Sequence, residues 1–302
     1  MQRRDFLGNA MTLMLVAGAG ASFGAHALTA AAPTPAADDD LRERLRKLEQ
    51  RSGGRLGVAV LDTGDGRRWA MRGDERFSMC STFKLPLAAA VLRGAELGRV
   101  DLNARLAVPS AALVPYSPVT EPIARAGGDA SVAQLCEAIV VASDNTAANL
   151  LLPLVGDPAG FNRYLRGLGD TVTALHRSEG VPLRAGDPDD VTSPNAMLGT
   201  MRSVLLGDAL NDASRRRLTG WLIASTTGPT RLRAGLPKDW RIGHKTGSGD
   251  GTANDVAIVW PGRRKPVLIA SYLTHAWGDD ELRNSVLADV ARALTAHWIQ
   301  AA

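Results

Sequence analysis

At 302 residues, the chain is long enough for one large or two modest domains with real hydrophobic cores. Hydrophobic residues make up 45% and charged residues 22%, a balance that excludes a disordered or fibrous chain. The net charge is only +4, and the basic residues are scattered or in short clusters such as Arg215, Arg216 and Arg217, so nucleic acid is not an expected partner.

The first residues read as an export address. "RRDFL" is followed by an apolar, glycine-containing stretch over residues 11–23 and by the small-x-small site "AHA" at residues 25–27. Charged start, short apolar stretch and small-residue site together predict a signal peptide over residues 1–27, cleaved after Ala27. The paired arginines favour the twin-arginine route, and with it a periplasmic protein. An uncleaved anchor is disfavoured because the apolar part falls short of the roughly 20 residues that span a bilayer, so no stable membrane association is expected after cleavage. Residues 28–40, small, proline-bearing and acidic, read as a flexible lead.

The periodicity of "LRERLRKLEQRSG" predicts an amphipathic helix from about Leu41. "RLGVAVLDT" then reads as a strand, and "GDGRRWAMR" as a turn into a second one. Next, "MCSTFKLPLAAAVL" is almost wholly apolar yet carries Lys84 three residues after Ser81. In a helix these two positions share a face, which places an amine beside a hydroxyl. Burial disfavours the charged form of a lysine, so Lys84 is a candidate base. As far as about Leu222 the periodicity stays mostly helical, most clearly in "VAQLCEAIVVASDNTAANLLLPLV" and "PNAMLGTMRSVLLG". The last third returns to strands in "DWRIGHKTGSG", "TANDVAIVWP" and "KPVLIASYLT", before a closing helix over residues 279–297. Strands at both ends with helices between them predict an α/β layer from residues 41–73 and 222–302, with an inserted helical domain at 74–221.

Two cysteines, Cys80 and Cys136, permit one bridge and no zinc framework. The five histidines, at positions 26, 176, 244, 275 and 297, form no H-x-x-x-H pair, so neither a metal nor another cofactor is expected.

Three polar islands interrupt the apolar segments: "STFK" at 81–84, "SDN" at 143–145 and "HKTGSG" at 244–249. Each alone is weak, since serine, aspartate and asparagine also cap helices and form turns. In this order they resemble the S-x-x-K, S-D-N and K-T-G elements of class A serine β-lactamases and the penicillin-binding proteins. "ERFSMCSTFK", "PYSPVTE", "LCEAIVVASDNTAANLLL" and "GTANDVAIVWP" also read like the class A family, so the likeness runs from about Leu41 to the C-terminus.

The resemblance implies an antiparallel sheet flanked by helices, a helical domain beside it, and an active site between them in a monomer whose partner is a small β-lactam. It makes Ser81 the nucleophile that opens the strained amide and Lys84 the group that accepts or relays its proton. Ser143 would protonate the departing nitrogen, Asn145 would bind the substrate's side-chain amide, and Lys245 and Thr246 would face its carboxylate. The backbone N–H groups of Ser81 and Ser248 would form the oxyanion hole, with Tyr116 flanking the entrance. The arginine usual in the "GTANDVAIV" strand is replaced by Ala253, and Arg231 matches a position from which some members supply that charge.

Glu179 matches the glutamate that activates water in the second half-reaction, and Arg177 and Asp190 match the ion pair that closes its loop. After Glu179 the pattern departs: Leu183 comes four residues later, no asparagine follows it, and "GDPDD" arrives early. The turn in "KTGSGDGTAND" is also one residue short of the family's. In the family fold the usual bridging partners of Cys80 and Cys136 correspond to Gly249 and Ala88, so both thiols are expected to be free. Competing readings are a penicillin-binding transpeptidase or carboxypeptidase, which shares the three motifs, and a sensor domain that stays acylated.

Overall fold

The computed structural model describes residues 35–182, 189–297 and 299. The expected signal peptide, most of the lead, Leu183 and the first residues of "GDPDD" lie outside them. Helix α1 (Pro35–Ser52) starts within the stretch read as a lead rather than near Leu41. Its proline is the first helical residue, where no N–H is needed, and Asp38 in the first turn complements the helix dipole.

Strands β1 (Arg55–Asp62), β2 (Arg68–Met71) and β3 (Phe77–Ser78) lead to a 3₁₀ turn at Cys80–Phe83 and helix α2 (Lys84–Glu96). The middle of the chain holds β4 (Arg105–Ala107), α3 (Thr120–Arg125), β5 (Asp129–Ser131), α4 (Val132–Val141), α5 (Asn145–Leu151) and α6 (Asp157–Gly167). There follow β6 (Val191–Thr192), α7 (Pro194–Leu205), α8 (Asp212–Ile223) and the single turn α9 (Leu232–Gly235). Strands β7 (Arg241–Gly249), β8 (Thr252–Trp260) and β9 (Val267–Thr274) and helix α10 (Asp280–His297) complete the chain.

The main sheet has the order β2-β1-β9-β8-β7, and every pairing within it is antiparallel. Both faces are covered, so successive residues of a strand feed different cores. Ala59, Leu61, Leu268, Ala270 and Tyr272 face the helical side, while Val58, Val60, Ile269 and Leu273 join Leu41 and Leu45 of α1 and the apolar face of α10. This double coverage explains why the strands read as apolar runs rather than clean alternation. Helix α2 is buried from Lys84 to Leu92 and packs against α4, α5, α6, α7 and α8. An apolar helix with no solvent face belongs at the centre of the helical layer. The 3₁₀ turn before it docks on the edge strand β7, which sets the first polar island beside the third.

Candidate active site

Ser81 lies in the 3₁₀ turn and Lys84 is the first residue of α2. A 3₁₀ turn has three residues per turn, so positions 81 and 84 eclipse, more closely than in the α-helix expected from sequence. Lys84 Nζ donates to Ser81 Oγ at 3.0 Å and to the Ser143 carbonyl at 2.9 Å, and also to Asn145 Oδ1. It lies 2.9 Å from Glu179 Oε1, and its side chain is fully buried. Burial lowers the Lys84 pKa from the usual lysine range, and the Glu179 carboxylate opposes that shift. Ser81 Oγ is also 3.5 Å from Glu179 Oε1.

The second island is a break between two helices, where its capping residue types place a helix boundary. Helix α4 stops at Val141, Ser143 adopts the left-handed region at φ 62°, and Asp144 caps α5. The Asp144 carboxylate accepts from the backbone N–H groups of Ala147 at 2.8 Å, Val119 at 2.9 Å and Thr120 at 2.8 Å, and from Thr120 Oγ1 at 2.7 Å. With all these donors the buried aspartate is a structural cap. It holds Ser143 with its carbonyl toward Lys84 and its hydroxyl toward Lys245. Asn145 Nδ2 donates to the Pro115 carbonyl at 2.8 Å, which ties the island to the loop bearing Tyr116.

On the third island, Lys245 Nζ donates to Ser143 Oγ at 2.9 Å and to the Thr246 carbonyl at 2.8 Å. Burial, with Lys84 adding like charge, puts the Lys245 pKa well below the usual lysine range. Thr246 Oγ1 is 2.7 Å from Thr227 Oγ1. Close contact here requires Gly228, at φ 66°, since a Cβ on it would fall 2.4 Å from Thr246 Cγ2. The short β7–β8 turn is the two-residue connection Asp250-Gly251, with Gly249 paired to Thr252 across it.

Arg231 is only 6% exposed, which rules out an ordinary surface arginine. Its Nη2 donates to Ser248 Oγ at 2.6 Å, its Nη1 to the carbonyls of Gly247 at 2.8 Å and Asn254 at 2.9 Å, and its Nε to Asn284 Oδ1 at 2.7 Å. Ala253 is the cross-strand partner of Ser248, so the guanidinium reaches the same strand end that a side chain at 253 would flank.

Glu179 is held by its backbone. Asn149 on α5 donates from Nδ2 to the Glu179 carbonyl at 3.0 Å and accepts from the Glu179 N–H at 2.8 Å. The loop's start is fixed by Arg177 Nε to Asp190 Oδ2 at 2.8 Å, the expected ion pair.

A cleft of about 430 Å³ is lined by seven of the ten candidate residues, namely Ser81, Tyr116, Ser143, Asn145, Arg231, Thr246 and Ser248. Lys84 and Lys245 stand behind its wall, fully buried, and Glu179 borders an adjoining cavity with Cys80. Tyr116, at φ 62°, is 62% exposed at the cleft rim. Cys80 and Cys136 are both free thiols. Sequence reasoning missed Asn149, Asn284, Thr227 and Gly228. The signal for Asn149 was its i+4 relation to Asn145 on one helix face, whereas Asn284 carries none, being brought in from the far end of the chain.

Comparison with known proteins follows the same lines. The family described as "Beta-lactamase enzyme family" matches residues 40–298. The chain is 42% identical to "Beta-lactamase CTX-M-8" of Citrobacter amalonaticus, over 89% of this chain and 92% of that protein. It is 45% identical to "Beta-lactamase AST-1" of Nocardia asteroides, over 83% and 81%. Among solved structures, a β-lactamase from Xanthomonas campestris aligns with TM-score 0.82 at 48% identity, covering 86% of this chain and 98% of that one. The class A β-lactamase titled as the last common ancestor of Gram-negative bacteria aligns with TM-score 0.81 at 54% identity, covering 85% and 98%.

Proposed function

The chain belongs to the class A β-lactamase family, and on that footing we propose that it hydrolyses the β-lactam ring of penicillin- and cephalosporin-type antibiotics through an acyl-enzyme on Ser81, conferring resistance to them. The observation that carries this reading is the convergence of Ser81 Oγ, Lys84 Nζ and Glu179 Oε1 within hydrogen-bonding reach of one another.

Lys84 is the nearer base, at 3.0 Å from Ser81 Oγ against 3.5 Å for Glu179. Its lowered pKa and the carboxylate beside it allow Nζ to shed a proton to Glu179 and take the one from Ser81. Ser81 Oγ then bonds to the ring carbonyl carbon, while the backbone N–H groups of Ser81 and Ser248 stabilise the oxyanion. The C–N bond breaks, and the proton taken from Ser81 passes by way of Lys84 and Ser143 to the ring nitrogen. Lys245, Thr246 and Arg231 hold the substrate carboxylate, Asn145 its side-chain amide, and Tyr116 the rim. Before the second half, Glu179 returns its proton to Lys84 Nζ, 2.9 Å away; as a carboxylate again it accepts a proton from water, the water oxygen bonds to the acyl carbon, and Ser81 Oγ leaves with that proton.

In this reading the cleft lies between the α/β layer of residues 41–73 and 222–302 and the helical domain of residues 74–221. The protein works as a periplasmic monomer delivered by the twin-arginine route, with residues 1–27 removed. Support for that is the "RRDFL" start, and no helix among the described residues is long and apolar enough to cross a membrane.

Timing the release of a chromogenic cephalosporin by purified mature protein tests the reading. Many turnovers per Ser81 are expected, with mass spectrometry of a slow β-lactam placing one adduct on the Ser81 peptide and none on a Ser81→Ala protein. A single burst without turnover would instead identify a penicillin-binding enzyme or a sensor.

A further inference from the structure

Arg231 reaches the strand end beside the cleft through bonds to the carbonyls of Gly247 and Asn254, the Ser248 hydroxyl and the Asn284 amide. These bonds hold the guanidinium only if the backbone that carries it stays in place. That backbone is the connection between α8 and the single turn α9. Within it the Arg231 N–H donates to the Gly228 carbonyl at 3.1 Å, and the Arg231 carbonyl accepts from the Ala234 N–H at 2.9 Å. A single helical turn has little stability of its own, so the connection depends on what it is tied to.

A buried pair on the sheet supplies that tie. Side chains alternate along a strand, so His244, Thr246 and Ser248 of β7 share a face with Asp255 of β8, while Lys245 takes the opposite face and donates to Ser143. On the shared face Asp255 Oδ2 accepts from the Leu232 N–H at 3.2 Å, and His244 Nδ1 lies 3.0 and 3.1 Å from the two carboxylate oxygens. Both side chains are fully buried. The Arg231 carbonyl and the Leu232 N–H belong to one planar peptide unit, so the carboxylate fixes the unit through which Arg231 joins α9. Asp255 is the polar partner of the ring, because His244 Nε2 is buried without one among the described residues. The ring also supports the connection by packing. A Cβ on Gly228 would fall 2.4 Å from Thr246 Cγ2, 3.4 Å from Arg231 Cδ and 3.6 Å from His244 Cε1, so all three side chains close round the same glycine.

We propose that Asp255 and His244 form a buried brace that sets the position of Arg231, making both of them positioning residues for recognition of the substrate carboxylate. The inference rests on the hydrolase reading above. The brace works by hydrogen bonds to the backbone, and it reaches Arg231 but not Lys245, whose side chain leaves the other face of the sheet. Without the carboxylate, the Leu232 N–H and His244 Nδ1 lose their partner inside the protein, and a buried donor left unpaired is costly enough to shift a short connection. The Arg231 guanidinium then leaves the strand end. Thr246 stands opposite Asp255 across the two strands, so a disturbance of Thr246 is the competing explanation that a test has to separate.

The test measures kcat and KM of the mature protein for a β-lactam bearing a free carboxylate and for its methyl ester, in wild type, Asp255→Ala, Asp255→Asn, Arg231→Ala and the double variant Arg231→Ala/Asp255→Ala. Asp255→Ala should raise KM for the free acid by about fivefold to tenfold, with kcat for both substrates and KM for the ester within about twofold of wild type. Asp255→Asn should recover most of that loss, because its amide oxygen accepts from Leu232 and its NH2 donates to His244 Nδ1 in the other ring tautomer. In the Arg231→Ala protein, adding Asp255→Ala should change KM for the free acid by less than about twofold, since a residue that acts through another adds nothing once that other is gone. Losses that multiply in the double variant, equal losses on acid and ester, or an Asp255→Asn protein as impaired as Asp255→Ala would each overturn the proposal. If Asp255→Ala does not fold, His244→Leu decides, because it removes the group that orients the carboxylate: a raised KM for the free acid alone supports the brace, and an unchanged KM overturns it. Failure of wild type to turn over any β-lactam would instead sink the hydrolase reading.

Discussion

Replacing Asn149 by alanine removes at once the donor to the Glu179 carbonyl, at 3.0 Å, and the acceptor for the Glu179 N–H, at 2.8 Å. Each bond contributes about 0.5–1.5 kcal/mol net, so the pair holds Glu179 in place with about 1–3 kcal/mol. Both residues are half-buried, so water can restore part of this in the variant. A loss near 1.4 kcal/mol, or roughly tenfold in rate, is the working expectation. The loss should fall on deacylation, because the proton acceptor nearest to Ser81 is Lys84, which Asn149 does not touch, whereas activation of water depends on where Glu179 Oε1 stands. Stopped-flow measurement with a chromogenic cephalosporin separates the acylation burst from steady-state turnover, and quenched samples weighed by mass spectrometry give the acyl-enzyme fraction. The expected outcome is a preserved burst, slower steady state and accumulated adduct. If acylation and deacylation slow by the same factor, or if neither changes, the clamp does not position the base and the argument fails.

Glu179→Gln should go further along the same line: acylation survives while the adduct accumulates nearly to stoichiometry, and undiminished turnover would mean that another group activates water. Arg231→Ala should lower kcat/KM by about tenfold to a hundredfold for substrates whose carboxylate lies near Lys245, if a charge-assisted bond of about 1.5–3 kcal/mol is lost. Equal kinetics on every substrate would remove Arg231 from the site. Both cysteines should titrate as free thiols in the denatured protein without reductant. In the native protein burial raises both thiols, Cys136 to about 12, so each should react slowly with an alkylating reagent near neutral pH, and fast native labelling of Cys136 would contradict the packing around it.

Much of the architecture was legible in the sequence. The apolar runs "RLGVAVLDT", "TANDVAIVWP" and "KPVLIASYLT" became the three central strands, and "PNAMLGTMRSVLLG" became α7. Helix starts were less legible. Alanine, proline and acidic residues suit both a linker and a helical first turn, so α1 extends into the stretch read as a lead. The helix boundary at "SDN" was legible, because serine, aspartate and asparagine cap helices, but the left-handed residue there is a serine rather than the glycine that usually marks such a position.

The sequence by itself determined which side chains have the chemistry. A hydroxyl three residues before a lysine in an apolar segment, and a third island on a late strand, follow from local order, because spacing along one element decides which groups share its face. It could not determine which of these groups meet, since contacts between distant segments depend on packing. Only the tertiary structure brought Asn149 to the backbone of Glu179, and Asn284 from the last helix to Arg231. It also decided that Lys245 and Arg231 are buried, with neither in an ion pair among the described residues. The physical reason is that burial is a property of the assembled layers: the same lysine is solvated on an isolated strand and loses its hold on a proton once two cores close round it.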